Sequence, residues 1–158
     1  MHIRALPGGR HRAYFITEKD KDKMKILVID GQGGRIGRGI IEQLIKGGFD
    51  GEIIAVGTNS FAAEAMMKAG AARGAAGENP VAVNAQEADI ITGPVGIIAA
   101  NSLMGEVTPR MAYSVAASRA KKVLVPVNRC NVVMAGTEEL SLNEYIARAA
   151  AIILAEAR

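Results

Sequence analysis

Histidine is nearly missing from this chain of 158 residues: only His2 and His11 carry an imidazole, and both stand in the opening segment. The remainder therefore holds no Ser-His, Cys-His or histidine-metal constellation, and no metal is expected. Cysteine is scarcer still. Cys130 stands alone, which excludes an intrachain disulfide framework and any C-x-x-C pair. Without a histidine it reads as an inert buried thiol, unless Arg129 beside it lowers its pKa. The apolar stretches are broken by Gly, Pro or polar residues well before membrane-spanning length. A cytoplasmic protein with no membrane partner is expected.

Positive charge is confined to one segment. Residues 1 to 23, "MHIRALPGGRHRAYFITEKDKDK", hold six Lys or Arg and three Asp or Glu, so the whole-chain +3 less this +3 leaves residues 24 to 158 at zero. A neutral body without basic stripes gives no electrostatic footprint for nucleic acid. The segment lacks a sustained apolar period and ends in a charge run, so it reads as a tag, an upstream start or a disordered tail outside the fold. The 135 residues that follow suit one domain with one core. Any site must then be built at the domain's own edge or between subunits.

Short β-branched runs alternate with helical patterns in that body. "KILVID" at 25 to 30, "EIIAVG" at 52 to 57, "VAV" at 81 to 83, "ADIITG" at 88 to 93 and "KVLVPV" at 122 to 127 are apolar without alternation, as strands buried on both faces are. "NVVMAG" at 131 to 136 offers an edge strand. Ile36, Ile40, Ile41, Leu44 and Ile45 recur with helical spacing until Gly47 and Gly48 stop them. A second helix is expected from about Ser60 to Ala71, with "KAGAARGAAGENP" at 68 to 80 as its end and a loop. Thr108 before Pro109 is a cap signature for a helix through Ala117, and Ser141 with Glu144 is a capping box for the last helix. The order β-α-β-α-β-β-α-β-α predicts a single Rossmann-like domain, a three-layer, doubly wound α/β fold on a mainly parallel sheet. In the last helix, Ile146, Ala149 and Ile153 can face the sheet while Ile152 and Leu154 point elsewhere, which predicts a homo-oligomer.

"VIDGQGGRIGRG" at 28 to 39 follows the first strand and opens a helix, the setting in which main-chain N–H groups and a helix N-terminus face a phosphate. Asp30, Gly31, Gln32, Gly33, Gly34 and Gly37 are the candidate residues, although a tight strand-to-helix turn would need glycines too. Asp30 beside a phosphate is repulsive unless a cation or a ribose hydroxyl intervenes. Read as G-x-G-x-x-x-G, the loop resembles those of NADP-type and short-chain dehydrogenases, with Arg35 where the latter carry glycine. That resemblance implies a Tyr-x-x-x-Lys pair, yet Tyr113 is followed four residues later by Ala117 and Tyr145 by Ala149.

NAD sites end their second strand in an acidic residue that holds the ribose. Here that place reads Gly57, Thr58, Asn59, Ser60, so NADP or a mononucleotide is expected in preference to NAD. Thr58, Asn59 and Ser60 could hold a phosphate, or Asn59 or Ser60 could simply cap the next helix. Gly93 and Pro94 in "TGPVGI", and Asn128 and Arg129 in "VNRCN", close two further strands at the same carboxyl edge, where open α/β sheets bind ligands. Arg129 would pair with a phosphate, or with Glu78 or Glu106. Of the acid-base candidates Asp30, Glu78, Asp89, Glu106 and Lys68, Asp89 starts a strand at the wrong edge, and Glu78 and Glu106 fall in loops.

Nearly end to end, the body resembles an uncharacterised family of small bacterial Rossmann-like proteins with a domain of unknown function. The strings that carry the resemblance are "VIDGQGG.IG", "IIAVGTNS", "GEN", "ADII.GP.GI", "GE.TP.MA" and "VPVNRCN", in that order, with Arg35 where that family more usually has glycine. The resemblance implies a fold and no activity. A fainter similarity links "AVGTNS" and "VPVNRC" to the methylglyoxal-synthase-like phosphate-binding fold, whose catalytic histidine has no counterpart in the body. Three expectations follow: a domain binding a nucleotide or other phosphorylated small molecule, a non-catalytic sensor or assembly module, or a phosphate-substrate lyase.

Overall fold

The structure is a computed structural model that describes residues 23–127 and 132–158. Most of the expected leader lies outside the described residues, as do Asn128, Arg129, Cys130 and Asn131.

Five parallel strands, β1 (Lys25–Asp30), β2 (Glu52–Gly57), β3 (Arg73–Ala76), β4 (Ile90–Pro94) and β5 (Lys121–Val125), form one sheet in the order β3-β2-β1-β4-β5. Helices α1 (Arg35–Lys46), α2 (Ser60–Lys68), α3 (Glu78–Asn84), α4 (Pro109–Ala117) and α5 (Leu142–Glu156), with a 3-10 turn at Val95–Ile98, cover its faces. This is the expected Rossmann-like α/β fold. β1, β2 and β4 are buried almost throughout, without alternation, because both faces are covered there. In β1, Ile26 and Val28 pack with Ile40, Leu44 and Ile153 on one side, while Leu27 and Ile29 pack with Val81, Met111 and Val115 on the other.

The third strand is not where the sequence places it. "VAV" at 81 to 83 lies in α3, where Val81 and Ala82 are buried while Val83 is half exposed, the spacing of a helix face. The actual third strand is "RGAA" at 73 to 76, inside the segment read as a loop, and all four of its residues are exposed. It is an edge strand held to β2 by backbone pairing, with Arg73 bonded to Glu52 at 2.6 Å. The other revisions are smaller. Residues 132 to 136 form no strand, the second helix stops at Lys68, and the last two strands run 90 to 94 and 121 to 125.

Local signals set most helix ends. The side chain of Thr108 accepts from the Met111 amide, and Ser141 and Glu144 form the expected reciprocal capping box. On α5, Ile146, Ala149 and Ile153 are buried as expected. Leu154 does not point away from the fold. It is partly buried against the core on the α1 side, and only Ile152, 49% exposed, is left outward. Among the described residues, no helix is long and apolar enough to cross a membrane.

Gly93 binds β4 closely to β1. Its φ is 151°, and a Cβ there would lie 2.0 Å from the Ile29 carbonyl oxygen, a backbone atom with nowhere to move. Gly93→Ala should therefore cost roughly 3 kcal/mol of stability, read as a fall in the urea midpoint. An unchanged midpoint would show that the strand ends can separate.

Candidate functional site

From β1 the chain runs outward through β2 to the edge at β3, then crosses back over the sheet to β4 and β5. The carboxyl ends of β1 and β4 thus diverge, and a topological switch point of this kind leaves a crevice between the loops. The crevice has a volume of about 120 Å³ and is walled by Asp30, Gly31, Gln32 and Gly33 after β1, Arg35 and Ile36 of α1, Pro94 of β4, Leu103, Val127 and Leu142.

The glycine turn begins with Asp30, which is 4% exposed. Its Oδ1 accepts from the Gly31 amide and its Oδ2 from the Gly37 amide, each at 2.7 Å. Gly34, the residue before α1, offers no side-chain cap. The Asp30 carboxylate takes over that role from the strand below, at the positive end of the helix. Burial drives the Asp30 pKa up, the amides of Gly37, Gly31 and Ile36 oppose it, and the nearby charge of Glu106 adds to the rise.

Glu106, an acid-base candidate that the sequence leaves in a loop without a position, turns out to stand at the glycine turn. It comes from the connection between the 3-10 turn and α4, 74 positions beyond Gln32, and no spacing rule reaches that far. Its Oε2 accepts from the Gln32 amide at 2.7 Å, the Thr58 hydroxyl at 2.7 Å and the Asn59 side-chain amide at 3.1 Å. Gly31 makes this approach possible, since a Cβ there would lie 2.5 Å from that oxygen, 2.6 Å from Thr58 Oγ1 and 2.8 Å from a Leu103 methyl. Partial burial would raise the Glu106 pKa, but the three donors from Gln32, Thr58 and Asn59 outweigh it and hold the group below its ordinary value.

The structure thus brings most of the expected residues together, in roles of their own. Asn59 caps α2 by accepting from Ala62 at 2.9 Å, and also donates to Gln32 O at 3.0 Å. Thr58 serves Glu106, and Ser60 is an exposed first residue of α2. Gly93 is a packing residue, while Pro94 walls the crevice. Glu78 starts α3 and bonds Thr108 and Arg110. Asp89 lies at the opposite edge, accepting from the Lys25 amide at 2.7 Å, and Lys68 pairs with Glu64. Two residues below Pro94, Thr92 is fully buried, and its hydroxyl has no hydrogen-bond partner among the described residues.

Two expectations change with this geometry. The turn is not a bare phosphate cradle, because the amides of Gly31, Gln32 and Gly37 already serve two carboxylates. The preference for NADP or a mononucleotide over NAD rested on a missing acid after β2. The sequence there indeed carries none, but Glu106 brings a carboxylate to that place from another loop, which removes the premise.

Opposite pH dependences follow from the two shifts. Native Asp30 keeps its proton to higher pH than the unfolded chain, so its contribution to stability falls as pH rises from 3.8 through its native value. The contribution of Glu106 is present above 4.5 and lost as pH falls through its lower native value. Carbon-detected titration of the carboxyl groups should place Asp30 above 3.8, and Glu106→Gln should bring it down by removing a neighbouring negative charge. An Asp30 midpoint below 3.8 would contradict this account of the turn.

The sequence model of the family described as "Domain of unknown function (DUF3842)" matches residues 25–158, and the chain belongs to that family. No curated protein matches the chain. Among solved structures, one entitled "crystal structure of AibC" is similar over 90% of this chain and 42% of that one, at 14% identity and a TM-score of 0.43. The chain therefore spans less than half the length of that structure, and a likeness this slight carries no argument.

Proposed function

We propose that this member of a family of unknown function binds a phosphorylated small molecule, of the nucleotide class, at the carboxyl edge of its sheet. The observation that carries the reading is the pairing of two spaces across one turn. The crevice at the switch point, about 120 Å³, has room for a phosphoryl-sized group. Gln32 and Gly33 also wall a wider groove of about 650 Å³ on the outer side of α1 and α2, which includes Phe61, 78% exposed. A ligand with a compact charged end and a flat apolar end fits across the turn, the base against the Phe61 ring.

Arg35 supplies the charge. It is exposed at the first position of α1, walls the crevice, and has no ion pair among the described residues. The amides of Gly33 and Arg35 likewise have no protein acceptor among the described residues, so they and the guanidinium are the donors left for a phosphate. Asn128 and Arg129, the other expected contacts, lie outside the described residues.

A second reading, a non-catalytic assembly module, has one observation in its favour, the half-exposed Ile152 on α5. A homodimer through that face predicts that Ile152→Glu yields a smaller species in light scattering with helical circular dichroism retained. A monomeric wild type at micromolar concentration would remove that reading.

Calorimetry with inorganic pyrophosphate and ADP tests the first. Arg35→Ala should weaken binding roughly tenfold or more. Gly33→Asp should abolish it with the melting temperature nearly unchanged, since no atom lies within 4 Å of a Cβ at Gly33. Wild-type protein that binds neither compound, or Gly33→Asp that binds as wild type does, would end the proposal.

A further inference from the structure

Resting on that nucleotide reading, we infer that Glu106 determines which sugar the site accepts: its carboxylate takes the hydroxyls of an unmodified ribose and turns away a ribose bearing a 2′-phosphate. Three observations lead there. The first is position. Glu106 stands over Gly31, between the glycine turn and the end of β2, where nucleotide-binding sheets of this topology meet the sugar.

The second is fixation. One oxygen, Oε2, receives all three protein donors, from the Gln32 main chain, the Thr58 hydroxyl and the Asn59 amide, and these come from both sides of the position. A glutamate held this way cannot swing aside without taking the acceptor from the Gln32 amide and the Thr58 hydroxyl. The third is what remains. No hydrogen bond reaches Oε1 among the described residues, and a carboxylate oxygen is an acceptor only, so the free side of Glu106 matches a hydroxyl donor. A ribose diol supplies such donors. A 2′-phosphate supplies negative charge against negative charge, and Arg35 lies on the crevice side of the turn instead of beside Glu106.

The bland account is that Glu106 only straps its loop onto the turn. That account predicts lost stability on substitution and no change in selectivity, which makes the two separable. Adenosine 5′-monophosphate and adenosine 2′,5′-bisphosphate differ only by the phosphate on the 2′ oxygen. Calorimetry on wild type should show the monophosphate bound roughly tenfold or more tighter, with a ratio that shrinks as salt is raised. Glu106→Gln keeps an acceptor oxygen and loses the charge, and should bring the ratio toward one. A wild type that prefers the bisphosphate, or discriminates equally at all salt concentrations, would overturn the inference even if the variant is unstable. So would a folded Glu106→Gln protein with the wild-type ratio. Binding of inorganic pyrophosphate but of neither nucleotide would remove the inference and leave a phosphate site standing, whereas failure of all three ligands to bind would remove both.

Discussion

A single buried carboxylate organises the carboxyl edge of this sheet. Asp30 ends β1 and holds the first turn of α1 through the Gly31 and Gly37 amides, so strand and helix are joined by a charge-assisted clamp as well as by the chain between them. Hydrogen bonds to a charged group contribute about 1.5 to 3 kcal/mol each, against a desolvation cost of the same order. The balance explains why Asp30 is raised in pKa and yet well bonded. With that clamp set, Gln32 and Gly33 have one place to be, and both the crevice and the groove take their shared wall from them.

The same clamp changes what a glycine-rich turn means here. In a phosphate loop the amides wait for a ligand's charge. Here three of them already face carboxylates, one from the strand beneath and one from a loop that reaches over the sheet. Two acids of opposite pKa shift then lie on one turn, Asp30 inside and Glu106 near the surface. Arg35 stands on the α1 side of the turn, while the β2 side presents a carboxylate acceptor.

What could be read from the sequence was whatever is written locally. β1 and β2 announced themselves because six consecutive residues in each are nearly all buried, and the caps at Thr108 and Ser141 are residue-for-residue signatures. β3 was illegible for the opposite reason. Its residues are all exposed and its identity lies in backbone pairing with β2, which leaves no mark in side-chain polarity. "VAV" misled because a short helix with Val81 and Ala82 inward shows the same letters as a buried strand. In the site, the residues contiguous with strand ends can be placed from the sequence, whereas Glu106 can be named as a candidate acid but not placed, because its meeting with Gln32, Thr58 and Asn59 is made only by the folded loop.

The packing of α5 against α1 also sets an order on how the molecule can be made. Ile146 and Ile153 complete a cluster begun by Ile26, Val28, Ile40 and Leu44, more than a hundred residues earlier in the chain. Parallel sheets gain their contacts late because each strand waits for a crossover, and here the cover over the first strand waits for nearly the whole chain. During synthesis, β1 and the apolar face of α1 must therefore spend many seconds without the helix that shields them. The stretch most in need of protection on the ribosome is the one that carries the glycine turn.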